Sequence, residues 1–191
     1  MSIVQKCISL PVEDYLEGEC HSDVRHELVA GQVYAMVGAS GNHNLIAGNI
    51  FSALHAHLRG KPCQAFMSDM KVRVANDFYY PDVMVSCDPA DRHDYYREKP
   101  VLVIEVLSPA TEGRDSLEKR IAYQSLPSLQ EYVLVAQDKT ELCIYRNTGN
   151  GWLREICRAG DQVTLQSVGL NMPIEAIFED VPVSEVFHPE G

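Results

Sequence analysis

The chain has 191 residues, of which 46% are hydrophobic, and 27 acidic against 16 basic side chains give it a formal net charge of −11. This length fits one domain over residues 1–191, and the hydrophobic content is sufficient for a sizeable core. The chain has no uninterrupted apolar run of the roughly 18 residues that a membrane span needs. Its acidity argues against a broad nucleic-acid-binding surface, because such affinity comes mainly from Lys and Arg contacts with phosphates. A nuclease is not excluded, since acidic residues around a metal site add to the negative charge.

The termini and the cysteines predict the compartment. The N-terminal segment lacks the long apolar run of a secretory signal. The six cysteines are widely scattered and include no C-x-x-C pair. Several of them lie in apolar runs, where a thiol behaves as a small hydrophobic group. The sequence therefore predicts free thiols and a cytoplasmic location.

The first third of the chain predicts two helices and a hairpin. Ser9 as N-cap, with Pro11 in the first turn, predicts a short N-terminal helix. Residues 25–36 contain two apolar runs about a turn, which is typical of a β-hairpin. Apolar residues then recur on one helical face over residues 42–58.

The rest of the chain predicts mainly strands. They are expected within residues 63–75, 81–85, 101–107, 131–135, 142–146, 152–156 and 163–165. Asp115 and Glu118 resemble a capping box that opens a helix ending near Leu126, and the tail over 173–191 predicts a short helix and a loose end. Strands mixed with three helices predict an α/β (α+β) fold, with helices packed against a mixed central β-sheet.

One acidic residue stands in the middle of a buried strand. The apolar run over residues 101–107 contains Glu105. A buried carboxylate is costly unless it is paired or bound to a cation. We therefore predict a metal site that Glu105 shares with Asp82, which follows Pro81 at the start of an earlier strand. Mg²⁺ favours carboxylates, waters and phosphate oxygens, and the backbone carbonyl of Val106 is a further candidate ligand.

A catalytic amine must come from outside this strand. Many metal nucleases place a lysine two residues after the glutamate, but Leu107 occupies that position here. Lys119 on the following helix is the candidate. It shares a helical face with Tyr123, whereas Leu117 and Ile121 form a second apolar stripe. Periodicity alone leaves open whether Lys119 points into the site or is an ordinary surface lysine.

The order Pro-Asp, then Glu on a buried strand, then Lys on a helix resembles the PD-(D/E)xK nuclease superfamily with a migrated lysine. Residues 26–132 are similar to the Uma-two family of predicted endonucleases, a restriction-endonuclease-like group. The matching segments are His26-Glu27-Leu28 with Gly31, His43, Tyr80-Pro81-Asp82-Val83, Pro100 to Pro109, Arg114-Asp115, Lys119, Tyr123 and Glu131-Tyr132. The family usually has a tryptophan and then an aspartate after Glu-Tyr, where this chain has Val133 and Ala136.

The resemblance implies a restriction-endonuclease-like core and a phosphodiesterase that uses Mg²⁺ to cut DNA, with Mn²⁺ able to substitute. It also implies a homodimer, since related nucleases that cut both strands often pair. The implied site residues are Asp82, Glu105, Lys119 and Glu27, with Asp82, Glu105 and Val106 as metal ligands. For Glu27 the alternative is a solvent-facing strand residue. His43 is expected to have a structural role and Tyr123 to be a core residue.

Two other functions are compatible with the sequence. One is a catalytically inactive interaction module that keeps the fold and the acidic pocket, which the acidic balance and the lack of a DNA-reading motif favour. The other is a metal-dependent hydrolase of RNA or of a small phosphoester. The presence of Asp82, Glu105 and Lys119 together favours an enzyme.

Overall fold

The structure is a computed structural model that describes residues 9–107 and 114–183, apart from the side chains of residues 114–116. Its helices are α1 (Val12–Cys20), α2 (Gly41–His57), α3 (Arg114–Gln124) and a short 3-10 helix (Ile174–Ala176). Its strands are β1 (His26–Val29), β2 (Gln32–Ala35), β3 (Gln64–Met67), β4 (Lys71–Val74), β5 (Asp77–Tyr79), β6 (Val83–Ser86), β7 (Tyr96–Arg97), β8 (Pro100–Leu107), β9 (Glu131–Ala136), β10 (Glu141–Asn147), β11 (Trp152–Arg158), β12 (Gln162–Leu165) and β13 (Leu170–Pro173). No helix within these described ranges is long and apolar enough to cross a membrane.

The strands form mixed sheets. A six-stranded sheet has the order β11-β10-β9-β8-β6-β3, and a five-stranded sheet has the order β2-β1-β5-β4-β7. In the larger sheet β8 and β9 run parallel and α3 lies between them in the chain, so they form a βαβ unit. Strands β12 and β13 pair separately. Mixed sheets with helices confirm the predicted α+β class.

Side chains of β8 alternate between two apolar clusters. Leu102 and Ile104 pack in a core that includes the buried residues of α2. Val103 points to the other face and packs with Tyr123 of α3. Since alternate residues of a strand share a face, Glu105 lies on the face of Val103, towards α3.

The predicted hairpin is present as β1 and β2. Ala30 and Gly31 adopt positive φ values of 51° and 75°, as the two central residues of a type I′ turn require. The register sets Glu27 directly opposite Tyr34, so the two residues share one face of the hairpin. Leu28 points to the opposite face and is buried in a third apolar cluster.

Several local predictions need correction. The N-cap of α1 is Pro11, without a side-chain hydrogen bond, and Ser9 lies outside the helix. Strands β5, β7 and β13 lie where no separate strand was predicted. Strand β7 lies in a polar stretch, where tertiary contacts such as Arg97 over the Phe66 ring override the polar sequence. The proposed capping side chain of Asp115 and the end of the predicted tail, after residue 183, lie outside the described residues.

The prediction of free thiols is wrong for one pair. Cys63 and Cys87 form a disulfide with their Cα atoms 4.0 Å apart. Cys63 precedes β3 and Cys87 follows β6, and the antiparallel register pairs Gln64 with Ser86. Cys63 and Cys87 thus lie opposite each other, one position beyond that pair. Their separation of 24 residues in sequence gives no sign of this proximity. The free cysteines among the described residues are Cys20, Cys143 and Cys157.

Candidate active site

Asp82 and Glu105 come from neighbouring positions in the six-stranded sheet. Strands β6 and β8 are antiparallel and pair Val83 with Ile104, so continuing that register by one residue sets Asp82 opposite Glu105. The backbone N–H of Val106 donates to Asp82 Oδ2 at 2.7 Å. Both carboxylates line one cavity of about 920 Å³, called the acidic cavity below.

Lys119 enters this cavity from α3. Its Nζ lies 2.7 Å from Glu27 Oε1 and 3.6 Å from Glu105 Oε1. On the same helix Tyr123 is fully buried whereas Ile121 is 61% exposed. The Lys119 face of α3 therefore packs inward, and Glu27 is not a solvent-facing strand residue.

A buried polar network fixes Glu27 from behind. The backbone N–H of Tyr80 donates to Glu27 Oε1 at 3.1 Å. The Tyr80 hydroxyl donates to Glu19 Oε1 at 2.9 Å and accepts from Lys71 Nζ at 3.1 Å. Because α1 supplies Glu19 and β4 supplies Lys71, packing of the N-terminal half positions Glu27 against Lys119.

Two residues expected to be only structural contact the acidic pair. His43 Nε2 lies 3.2 Å from Asp82 Oδ2, and the Tyr123 hydroxyl donates to Glu105 Oε1 at 3.1 Å. Tyr123 follows Lys119 by four residues on one helical face, and that spacing was a usable signal. For His43 the backbone N–H is capped by Ser40, but the sequence has no local signal that α2 begins beside Asp82.

The electrostatics of the cavity are those of several acids around one amine. Burial raises the pKa of Glu105 to about 8; Lys119 opposes this rise, and the carboxylates of Asp82 and Glu27 add to it. Burial alone would lower the pKa of Lys119, but Glu105 and Glu27 outweigh it and raise the pKa. Near neutral pH Lys119 is therefore charged and Glu105 tends to keep a proton.

A hydrogen bond to Asp82 raises the pKa of the His43 imidazole, while burial opposes the rise. A backbone hydrogen bond with Val106 also contributes to the higher pKa. His43 therefore contacts the Asp82 side chain and the backbone of Val106. The sequence predicts both of these residues as metal ligands. Whether the Val106 carbonyl binds a metal stays a prediction.

Each of the three carboxylates has one oxygen without a contact to the described residues. Protein contacts engage Oδ2 of Asp82, Oε1 of Glu105 and Oε1 of Glu27. The second oxygens are the hard donors that Mg²⁺ prefers. Within the described ranges no three His, Cys, Asp or Glu side chains form a group that could hold a metal ion. An ion bound at these residues would therefore need waters or phosphate as further ligands.

Comparisons with known proteins identify the family and agree with the fold. The family model Uma2, described as "Putative restriction endonuclease", matches residues 12–175. An uncharacterized protein of Synechocystis sp. is 38% identical over 173 residues, which cover 88% of this chain and 91% of that protein. A second uncharacterized protein of the same strain is 31% identical over 159 residues, covering 80% and 90% respectively.

A solved structure shares the fold. It is the crystal structure of a "putative nuclease belonging to DUF820" from Anabaena variabilis, with a TM-score of 0.72 and 18% identity, and the match covers 89% of this chain and 98% of that one. The family match extends from α1 to the 3-10 helix and includes Glu27, Asp82, Glu105 and Lys119. The chain belongs to the Uma2 family.

Proposed function

We propose that the protein is a metal-dependent endonuclease that hydrolyses DNA phosphodiester bonds, with Mg²⁺ as its cofactor and Mn²⁺ able to substitute. One observation carries the proposal. Asp82, Glu105, Glu27 and Lys119 line a single cavity in which Lys119 contacts Glu27 and Glu105, and each carboxylate keeps one oxygen free of described hydrogen bonds and ion pairs. The description of the Uma2 family supports the same reaction class.

Asp82 and Glu105 would hold the metal, with the Val106 carbonyl as a further candidate ligand. When bound, such an ion lowers the pKa of water and offsets negative charge on a scissile phosphate. The raised pKa of Glu105 fits this role, since a buried carboxylate repelled by its neighbours gains most from a cation. Metal binding would then release the proton that Glu105 retains.

The remaining side chains position the reacting groups. Lys119 is charged and half-buried, so it can donate to a phosphate oxygen or orient the attacking water in a site of low dielectric. Glu27 fixes the ammonium through the 2.7 Å contact. Tyr123 holds one oxygen of Glu105, and His43 holds one oxygen of Asp82. Because these contacts fix one oxygen of each carboxylate, they also fix the direction of its second oxygen.

A cleavage assay tests the proposal. Supercoiled plasmid, single-stranded DNA and RNA are incubated with millimolar Mg²⁺, Mn²⁺ or EDTA, using wild type, Glu105→Gln and Glu155→Gln. Glu155 is a half-exposed carboxylate of β11 and serves as the matched control. We expect metal-dependent cleavage of DNA that Glu105→Gln lowers by about a thousandfold, as loss of an electrostatic contribution to the transition state does, and that Glu155→Gln leaves unchanged.

Other outcomes would contradict the proposal. Cleavage by Glu105→Gln at the wild-type rate would remove Glu105 from the site. No cleavage by wild type with either metal would favour the inactive interaction module. Cleavage of RNA alone would favour the hydrolase of RNA.

We further propose a homodimer. Strands β2, β7, β11 and β3 form the edges of the two larger sheets, and a second copy is one common way to cover an edge. Light scattering that shows a monomer at high concentration would reject it. The cytoplasmic location stays a prediction from the sequence, and the disulfide between Cys63 and Cys87 weakens its basis.

A further inference from the structure

An exposed aromatic ring stands beside the acidic cavity. Tyr34 of β2 lies directly across the hairpin from Glu27 and lines the cavity. It is 51% exposed. Its hydroxyl donates to Gln32 Oε1 at 3.0 Å, which fixes the direction of the ring. No aromatic side chain or cation of the described residues packs against this ring.

The ring is part of an apolar rim above a charged floor. Val24, Met36 and Val37 also line the cavity, and Val37 is 88% exposed. The floor contains the carboxylates and Lys119. A nucleotide has the same division, because its base offers apolar faces and its phosphate carries the charge.

The charge around the cavity argues against binding of nucleic acid through phosphate contacts alone. Among the described residues, its cationic lining residues are Arg25, His43 and Lys119, against four acids: Asp23, Glu27, Asp82 and Glu105. Arg25 is already paired with Asp69 at 2.9 Å. Duplex binding without sequence preference depends on many Lys and Arg contacts, which the described part of this lining does not supply. Stacking of a base on an aromatic ring adds affinity without adding positive charge.

We propose that Tyr34 is a stacking platform for an unpaired base beside the scissile phosphate, and that the preferred ligand is single-stranded DNA. The identity of the ligand rests on the proposed nuclease function. A base inside a duplex is stacked between its neighbours and cannot offer a face to Tyr34 unless it leaves the stack. An unpaired base can, while its phosphate reaches Lys119. Tyr34 thereby determines substrate class and has no part in the chemical step.

The experiment measures binding without cleavage. Fluorescence anisotropy in EDTA and low salt compares four labelled probes of equal length: oligothymidylate, the same backbone with abasic sites throughout, a DNA duplex and oligouridylate. The proteins are wild type, Tyr34→Ala, Tyr34→Phe and Tyr95→Ala. Tyr95 is 53% exposed and does not line the cavity, so it is the matched control. Thermal melts establish that each variant is folded.

We expect wild type to bind oligothymidylate about tenfold more tightly than the abasic probe, in the range known for stacking on aromatic side chains, and more tightly than the duplex. Tyr34→Ala should abolish the difference between the thymidylate and abasic probes, whereas Tyr34→Phe and Tyr95→Ala should keep it. Equal binding of the abasic and thymidylate probes by wild type would overturn the proposal. So would an unchanged difference in Tyr34→Ala, or tighter binding of the duplex.

The result is separable from the fate of the proposed nuclease. If the protein cleaves DNA but its binding does not depend on Tyr34, only the stacking role is rejected. If the protein binds oligothymidylate through Tyr34 but does not cleave it, only the proposed nuclease function is rejected. Binding of oligouridylate through Tyr34 with higher affinity than oligothymidylate would overturn the assignment to DNA.

Discussion

Two glutamates on adjacent strands show how differently one sheet treats a buried charge. Glu105 lies on β8 and Glu131 begins β9, and the parallel register pairs Leu102 with Glu131 and Glu105 with Leu134. The two acids are therefore three residues apart along the sheet, or about 10 Å. Because side chains alternate, they point to opposite faces.

Glu131 has a complete set of partners. It is 2% exposed and forms an ion pair with Arg146. It also accepts from the backbone N–H groups of Gln166 at 3.0 Å and Ser167 at 2.9 Å, and from the Ser167 hydroxyl. Arg146 in turn donates to the carbonyl of Thr164 at 2.7 Å. These contacts tie β9 and β10 to the β12–β13 ribbon, so Glu131 acts in the fold.

Glu105 has far fewer partners. The described ones are the Tyr123 hydroxyl at 3.1 Å and Lys119 at 3.6 Å, both at the same oxygen. The other face of the carboxylate is towards the acidic cavity, and burial raises its pKa to about 8. Since burial of a charge must be compensated, the missing compensation is the basis on which we propose a ligand at Glu105. Glu131 therefore stabilises the fold through its contacts, whereas Glu105 lies at the cavity with one oxygen free of described contacts.

The largest expected effect on folding is at Glu131. Glu131→Ala leaves Arg146 buried without its main partner and two backbone donors unsatisfied. Loss of one member of a buried ion pair costs about 3–5 kcal/mol, which urea unfolding at neutral pH measures. Glu155→Ala is the control, because Glu155 also lies 3.0 Å from Arg146 but is 45% exposed, and it should cost less than about 1 kcal/mol. An equal loss of unfolding free energy in Glu131→Ala and Glu155→Ala would show that Glu131 stabilises the fold no more than the exposed Glu155 does.

Glu105→Gln should have the opposite sign. Below a pH of about 4.5 Glu105 is protonated in both folded and unfolded chains, so wild type and Glu105→Gln are equally stable. Between there and a pH of about 8 the unfolded chain loses the proton while the folded chain keeps it, which destabilises wild type relative to the variant. At about 1.4 kcal/mol per pKa unit, the variant gains a few kcal/mol. Urea unfolding from pH 4 to about 9 follows the gain, and a difference that does not change with pH would show that Glu105 titrates normally.

The features predicted correctly from sequence are those with a local cause. The apolar run around Glu105 makes a strand, whereas the ligand that its charge predicts stays a prediction. The Ala30-Gly31 turn predicts the hairpin. Lys119 lies on the face of Tyr123, and packing of that face resolves what periodicity left open.

The features that were missed depend on distant segments. Glu131 is 15 residues from Arg146 and 35 from Gln166, so its neighbours in the sequence do not predict these buried contacts. His43 reaches Asp82 only because α2 begins beside β6. The disulfide joins strands that are neighbours only in the sheet. Strand β7 has two residues, too few for a periodic pattern.

A divalent cation should act on Glu105 and not on Glu131. Millimolar Mn²⁺ or Mg²⁺ should raise the melting temperature of wild type, because a ligand of the folded state stabilises it by about 2.7 kcal/mol at a hundredfold excess over the dissociation constant. Glu105→Ala and Glu105→Gln should remove most of that rise, and Glu105→Ala should melt higher than wild type without metal at neutral pH because it removes the cost of keeping Glu105 protonated in the folded chain. Differential scanning fluorimetry with and without EDTA reports both effects. An equal metal-induced rise in wild type and Glu105→Ala would place the cation elsewhere, while Glu155→Gln should respond like wild type.

The smallest expected effect concerns two neighbouring tyrosines. Tyr123 and Tyr132 are both fully buried, with ring centroids 5.5 Å apart. The Tyr123 hydroxyl donates to Glu105, whereas the Tyr132 hydroxyl has no hydrogen-bond partner among the described residues. Tyr123→Phe should therefore cost about 1 kcal/mol, and Tyr132→Phe should be neutral or stabilising because it removes an unsatisfied buried group.

The tyrosine pair also reports on the proton of Glu105. The Tyr123 hydrogen bond lowers the pKa of Glu105 against the larger effect of burial, so Tyr123→Phe should raise that pKa further. The pH window in which wild type loses stability relative to Glu105→Gln should then extend upward in a Tyr123→Phe background, and should stay in place in a Tyr132→Phe background. Urea unfolding of wild type, Tyr123→Phe and Tyr132→Phe, each with and without Glu105→Gln, over the same pH range measures this. If Tyr132→Phe moves the window as far as Tyr123→Phe, the pKa of Glu105 responds to the general polarity of the aromatic cluster and the Tyr123 hydroxyl has no specific role.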